Sequence, residues 1–254
     1  MKFNEMDLKR RKQVETQVTQ FEERFKDTTK EYNAIDIILT PDLILKNYLI
    51  HKDVFQSDRM VSIEFARWIA YNNGEYYDKN VIDMFCGGGI QGITALMMGA
   101  KHVTFVDSSE YACKNTLENL NQYNLRDRAT VIQSDLFQNV KQGADIMLAN
   151  PPFFPSEGIE GKVISKTMCM PTEKLEEFYQ KMQGYAPKVA VCHWDFAGNE
   201  NSPESMGITF GLNVERRLCL KKGYGLQQIS GENNEYFFKV IMLQKYVLQE
   251  GNKK

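Results

Sequence analysis

The spacing of hydrophobic residues changes character along the chain. Between residues 5 and 32, Met6, Val14, Val18, Phe21 and Phe25 recur at three- and four-residue multiples in a charged stretch without Gly or Pro. That period predicts an amphipathic helix. A second apolar stretch, Ile35 to Ile50, is predicted to be helical too, with Thr40 as its cap and Pro41 at the first helical position. Residues 1–50 are therefore expected to form an N-terminal helical extension, offering a partner contact through its first helix.

Beyond residue 50 the pattern alternates. A helical stretch, Val61 to Asn72, leads into a short apolar run, Val81 to Phe85. Four more strand-like runs follow: His102 to Asp107, Ala129 to Gln133, Asp145 to Ala149 and Lys188 to Trp194. Helical stretches such as Ser108 to Tyr123 and Thr172 to Tyr185 separate them. Short apolar strands alternating with helices predict an α/β fold with a doubly wound, mostly parallel sheet. Val214 to Leu220 and Tyr236 to Tyr246 lie close enough in sequence to pair as antiparallel strands and end the sheet differently.

Composition narrows this picture only slightly. With 43% hydrophobic and 25% charged residues the chain is an ordinary globular protein. A net charge of −2 argues against a surface uniformly coated for polyanions, although Lys9-Arg10-Arg11-Lys12 and Arg216-Arg217 are local basic runs. Cys86, Cys113, Cys169, Cys192 and Cys219 are odd in number and contain no C-x-x-C pair. His51, His102 and His193 do not fall at ligand spacing, so neither a disulfide framework nor a metal site is expected. The first residues lack an apolar signal core and no apolar run is long enough to span a bilayer, so the expectation is a cytoplasmic protein without a membrane anchor.

The candidate chemistry lies in two places. Gly87-x-Gly89-x-x-Gly92 follows the first strand of the alternating region and opens a helix, and Asp107 ends the next strand. Glycines let a ligand approach the backbone, and a carboxylate about 20 residues on accepts hydrogen bonds from ribose hydroxyls. The loop alone serves NAD as well as S-adenosylmethionine. Asp83 inside the first strand, Asp135 just past the third, and Asn150-Pro151-Pro152-Phe153 at the end of the fourth favour the methyl donor. A carboxylate at Asp83 can organise the loop and meet a cationic amino-acid group, and Asp135 can accept from an adenine amino group. Asn150 offers a carbonyl, and the residue before a proline is held extended, which aims backbone carbonyls outward. Two acceptors beside an aromatic ring suit a planar NH2 group.

On these residues the chain resembles the class I S-adenosylmethionine-dependent methyltransferases that modify amino groups and carry an N-P-P-[FY] motif, over residues 55 to 246. The resemblance implies a Rossmann-like methyltransferase domain over residues 51–254, with S-adenosyl-L-methionine as cofactor. Asp83, Phe85, Gly87, Gly88 and Gly89 would lie at the methionine end, Asp107 and Ser108 at the ribose, and Asp135 and Leu136 at the adenine. Asn150 and the Pro151 carbonyl would hold the target nitrogen, with Pro152 stiffening the turn and Phe153 stacking on the target plane. The implied substrate is a macromolecular amino group: adenine N6 in RNA first, a protein glutamine amide second. Ser57 to Arg59 are expected beside the donor, while His193-Trp194-Asp195, closing the fifth strand where a substrate pocket could include it, is read first as packing. An NAD-dependent oxidoreductase, or a non-catalytic scaffold of the same fold, are the readings from other classes.

Overall fold

Short runs of apolar, often β-branched residues form the centre of the molecule. The chain is described by a computed structural model over residues 31–58, 60–152, 154–155, 167–194, 202–221 and 237–245. Strands β1 (Tyr32–Thr40) and β2 (Leu43–His51) come first, then helix α1 (Met60–Tyr71). The alternating core follows as β3 (Asn80–Met84), α2 (Ile90–Met97), β4 (His102–Asp107), α3 (Glu110–Gln122), β5 (Ala129–Gln133) and β6 (Ile146–Ala149). Two short strands, β7 (Phe154–Pro155) and β8 (Cys169–Met170), precede α4 (Thr172–Lys181), β9 (Lys188–Trp194), α5 (Pro203–Thr209), β10 (Leu212–Lys221) and β11 (Phe237–Lys245).

The main sheet runs in the order β10-β11-β9-β6-β3-β4-β5. Strands β5, β4, β3, β6 and β9 are parallel, and β11 lies antiparallel to both β9 and β10. This is the doubly wound sheet that strand and helix alternation predicts, with its antiparallel ending. Alternate residues of each strand face opposite layers. Val81, Val103, Phe105, Ile146 and Leu148 pack with α1, α2 and α3 on one face. Ile82, Met84, Val106, Met147 and Ala149 pack with α4 and α5 on the other. Among the described residues no helix is long and apolar enough to cross a membrane.

The segment Ile35 to Ile50 corrects the sequence expectation, because it is a β-hairpin and not a helix. Strands β1 and β2 pair antiparallel across Pro41-Asp42, with Thr40 opposite Leu43. Ile37, Leu39 and Leu45 face inward at the two-residue period of a strand. Asn47, in the left-handed region at φ 54°, shifts the alternation, so that Tyr48 and Ile50 become the next buried residues. The three-residue step from Leu45 to Tyr48 mimics helical spacing, while Pro41 sits at the hairpin tip. The inner face of the hairpin is continuous with the core, β1 lying against α1 and β2 against α3. The helix expected over residues 5 to 32 lies outside the described residues, apart from its last two.

Candidate active site

Chain order reverses about β3: β4 and β5 lie to one side, β6 and β9 to the other. In open α/β sheets the crevice beyond the carboxyl ends of the strands at such a reversal is where ligands sit. Met84 of β3 is in register with Ala149 of β6, so Phe85 and Asn150 leave the sheet side by side. The two candidate motifs, far apart in sequence, therefore share one crevice.

The glycine loop is shaped by backbone that few residues tolerate. Phe85, Gly87 and Gly89 all have positive φ, at 61°, 54° and 87°. For Phe85 this conformation costs about 1 to 3 kcal/mol, which the surroundings must offset. Gly92 is demanded by close packing, because a side chain there would overlap the Phe105 ring and come within 2.9 Å of Asp83 Oδ2. On the outer side of the loop a side chain at Gly87 would meet only Val54, at 3.8 Å, and helix α2 opens at Gly89 without a side-chain cap.

Two carboxylates hold this loop from inside. Asp83 is buried, and its Oδ2 accepts a hydrogen bond from the Gly92 amide at 2.8 Å. Burial pushes its pKa up to about 7; the Gly92 bond opposes that shift and the nearby Asp107 adds to it. Asp83 thus organises the loop from beneath it, and the sequence expectation that it also meets a cationic ligand group does not suit a carboxylate this enclosed. Asp107 ties β4 to the loop, its Oδ2 accepting from the Gly87 amide and its Oδ1 from the Ser109 amide, both at 2.9 Å. Burial raises its pKa, against backbone donors at Ser109, Gly87 and Ser108. Three backbone donors leave one of the carboxylate's four acceptor positions for a hydroxyl.

Helix α3 and the hairpin clamp the same loop from outside. Thr116 Oγ1 donates to the Gly87 carbonyl at 2.8 Å, and Asn119 Nδ2 to the carbonyls of Gly88 at 3.0 Å and Leu49 at 2.9 Å. Asn115 accepts from the His51 amide and donates to Leu49, both at 2.9 Å. A side chain at Gly88 would run into the Tyr48 hydroxyl, since the hairpin lies directly against the loop. None of these partners stood out in the sequence, although Asn115, Thr116 and Asn119 share one helix face by their spacing.

Across the crevice, Asn150 donates through Nδ2 to Ser62 Oγ of α1 at 3.2 Å. Its carbonyl oxygen is buried and has no partner among the described residues. A buried acceptor left unpaired costs about 1 to 3 kcal/mol, so it marks a place reserved for a donor. Pro151 is buried and Pro152 half-buried behind it, while Phe153 lies outside the described residues. Ser57 is buried beside Tyr48, Arg59 lies outside the described residues, and His193 is buried within β9.

The third strand end closes the crevice. Asp135 follows Ser134, whose amide donates to the Asp107 carbonyl at 2.9 Å. Its carboxylate is ion-paired with Lys174 of α4, a partner the sequence reading did not foresee. Leu136, at φ 50°, is buried with Phe137 and Phe178. The Phe85 ring meets Phe178 edge-on at 5.2 Å.

Comparison with known proteins agrees with this geometry. The family model described as the methyltransferase small domain matches residues 68–178. A release factor glutamine methyltransferase of Clostridium botulinum is 31% identical over 169 residues, covering 65% of this chain and 54% of the relative. A ribosomal protein uL3 glutamine methyltransferase of Francisella tularensis is 30% identical over 103 residues, covering 40% of this chain and 32% of the relative. The chain spans about half or less of the length of the curated relatives it matches. The crystal structure of a ribosomal protein L11 methylase from Lactobacillus delbrueckii subsp. bulgaricus superposes with a TM-score of 0.56 at 15% identity, covering 83% of this chain and 99% of that one, which speaks for the fold. Strand order, glycine loop and family match agree: residues 68–178 match the methyltransferase small domain, on a sheet that shares the fold of the L11 methylase.

Proposed function

We propose that the protein binds S-adenosyl-L-methionine and transfers its methyl group to the side-chain amide nitrogen of a protein glutamine. The carrying observation is the buried carbonyl oxygen of Asn150, without a partner among the described residues, beside the glycine loop at the sheet's switch point. The loop suits the donor: Gly87 has open space beside it, Asp107 retains acceptor capacity, and Asp135 stands at the far end. Phe85, Ser108 and Leu136 flank these groups.

When bound, the donor supplies an electrophilic methyl carbon on a sulfonium. The chain's own residues must make a poor nucleophile available, because an amide lone pair is conjugated with its carbonyl. Asn150 Oδ1 would accept one N–H and the Pro151 carbonyl the other, holding the nitrogen with its lone pair toward the donor side. Ser62 Oγ holds the Asn150 side chain through its Nδ2, and Oδ1 is left without a partner among the described residues. Catalysis is then mainly positioning together with acceptors matched to the developing positive charge.

The sequence reading ranked adenine N6 in RNA ahead of protein glutamine. Relatives named for glutamine methylation support the reverse order, and the net charge of −2 gives little for a polyanion to hold. Adenine presents a planar NH2 of the same kind and is the second reading.

Titration with S-adenosylmethionine, S-adenosylhomocysteine and NAD, followed by methyl-labelling of separated protein and RNA fractions, tests this. Binding of the first two, and label that protease releases and acid hydrolysis liberates as methylamine, is the expected result. Ribonuclease-sensitive label would replace glutamine by adenine, and binding of NAD alone would overturn the donor. Asn150→Ala should lower turnover at least about 100-fold while sparing donor binding; unchanged turnover removes Asn150 from the site.

A further inference from the structure

We propose that Gln91 is a positioning residue for methyl transfer: from the first turn of α2 it pins Ser62, and through Ser62 it fixes where Asn150 presents its acceptor oxygen. This role rests on Asn150 being the residue that holds the target nitrogen.

Gln91 is 2% exposed, in a helix whose buried residues are mostly apolar, Ile90, Ile93, Ala95 and Leu96 among them. Burying a side-chain amide costs free energy unless it is hydrogen-bonded. The two buried polar side chains of α2 meet that need differently. Thr94 Oγ1 donates to the Ile90 carbonyl of its own helix at 2.7 Å. Gln91 instead reaches out of α2, its Nε2 donating to the Ser62 carbonyl of α1 at 3.3 Å. A carbonyl only accepts, so the amide nitrogen must be the group that faces it.

Ser62 is itself buried and is bonded on two sides, its carbonyl to Gln91 and its Oγ to Asn150 Nδ2 at 3.2 Å. It lies in the first turn of α1, and the terminal turns are the parts of a helix that its own hydrogen bonds secure least. Helix α2 is anchored to the sheet: it opens from the donor loop at Gly89, and the Gly92 amide is bonded to Asp83 of β3 at 2.8 Å. Support therefore runs from β3 to α2, through Gln91 to Ser62, and on to Asn150 at the end of β6. The Asn150 oxygen has no partner among the described residues, so the side chain is placed by the bond at its nitrogen.

The test reads the Asn150 side-chain amide by heteronuclear NMR of the full chain, its proton signals identified by their loss in Asn150→Ala. In wild type these protons should exchange slowly with solvent. Gln91→Met and Gln91→Leu, which fill the space without a donor, should shift the signals and speed that exchange about tenfold or more. Thr94→Val, a polar-to-apolar change in the same helix that leaves the tie to Ser62 intact, should leave them in place. With the protein fraction that wild type labels, Gln91→Met should lower kcat about tenfold with S-adenosylhomocysteine affinity unchanged, and should lower it no further in Ser62→Ala. Asn150 signals that coincide with wild type in both Gln91 variants overturn the proposal, as do a shift of equal size in Thr94→Val, an unchanged kcat, or independent losses of kcat in the double variant. Failure of wild type to label any protein removes the glutamine reading alone, because the NMR comparison needs no substrate.

Discussion

Asn119 donates through its side-chain amide to the carbonyl of Gly88 at 3.0 Å, and the same amide reaches Leu49 of the hairpin at 2.9 Å. The glycine loop is therefore hung from α3 and braced by β2 at one point. Asn119→Ala is expected to weaken S-adenosylmethionine binding about tenfold and to lower stability by about 1 to 3 kcal/mol, because the Gly88 carbonyl loses its Asn119 donor and Leu49 loses bonds at both its carbonyl and its amide. Calorimetry beside urea unfolding separates the two effects; undiminished donor affinity would show that the brace does not shape the loop.

Ser62 is the described partner of the Asn150 amide nitrogen. In Ser62→Ala the Asn150 side chain loses the bond that holds its amide nitrogen, and its position is less constrained. Turnover should fall about tenfold with donor affinity unchanged. A kcat equal to wild type would mean that the amide is held by something other than Ser62.

The Gly92→Ala change tests close packing of α2 on the sheet. The added carbon would lie 2.7 Å from Phe105 Cζ and 2.9 Å from Asp83 Oδ2, both buried. A loss of about 1 to 3 kcal/mol or more is expected in urea unfolding. Gly74→Ala is the control, since a side chain there meets nothing within 4 Å, and its midpoint should stay within about 0.5 kcal/mol of wild type.

Asp83 carries a pH signature. Burial, opposed by the Gly92 hydrogen bond and helped by Asp107, raises its pKa from 3.8 to about 7 in the folded state. Below about pH 4 both folded and unfolded states hold the proton, whereas between pH 4 and 7 only the folded state does. Stability from this group is thus full at low pH and is lost as pH rises through 7, at about 1.4 kcal/mol for each unit of difference. Asp83→Asn keeps an acceptor for Gly92 and removes the titration. The stability of wild type relative to Asp83→Asn should fall from pH 5 to pH 8 in urea unfolding, and parallel profiles would contradict the assignment.

The core elements were legible because their signals are local. The strand runs at His102 to Asp107, Ala129 to Gln133 and Lys188 to Trp194 coincide with β4, β5 and β9, since a short apolar run between helices has few alternatives. The hairpin was not legible, because the left-handed Asn47 breaks the two-residue period where it would have been recognised. Among the site residues, Gly87, Gly89, Asp107 and Asn150 announced themselves by position after strands. Their partners Thr116, Asn119, Ser62 and Lys174 did not, because a polar residue on a helix reads as surface until its neighbours are known.

From periodicity and motif spacing alone come the alternating α/β order, the glycine loop after the first strand of the alternating region, and the amide-bearing turn at the end of the fourth strand. Tertiary structure alone decided that Phe85 and Asn150 emerge side by side, that the hairpin braces the loop, that Asp83 is enclosed beneath it, and that Asp135 meets Lys174. The physical reason is range: propensity and period act over a few residues, whereas these contacts join segments brought together only when the crossovers close the sheet.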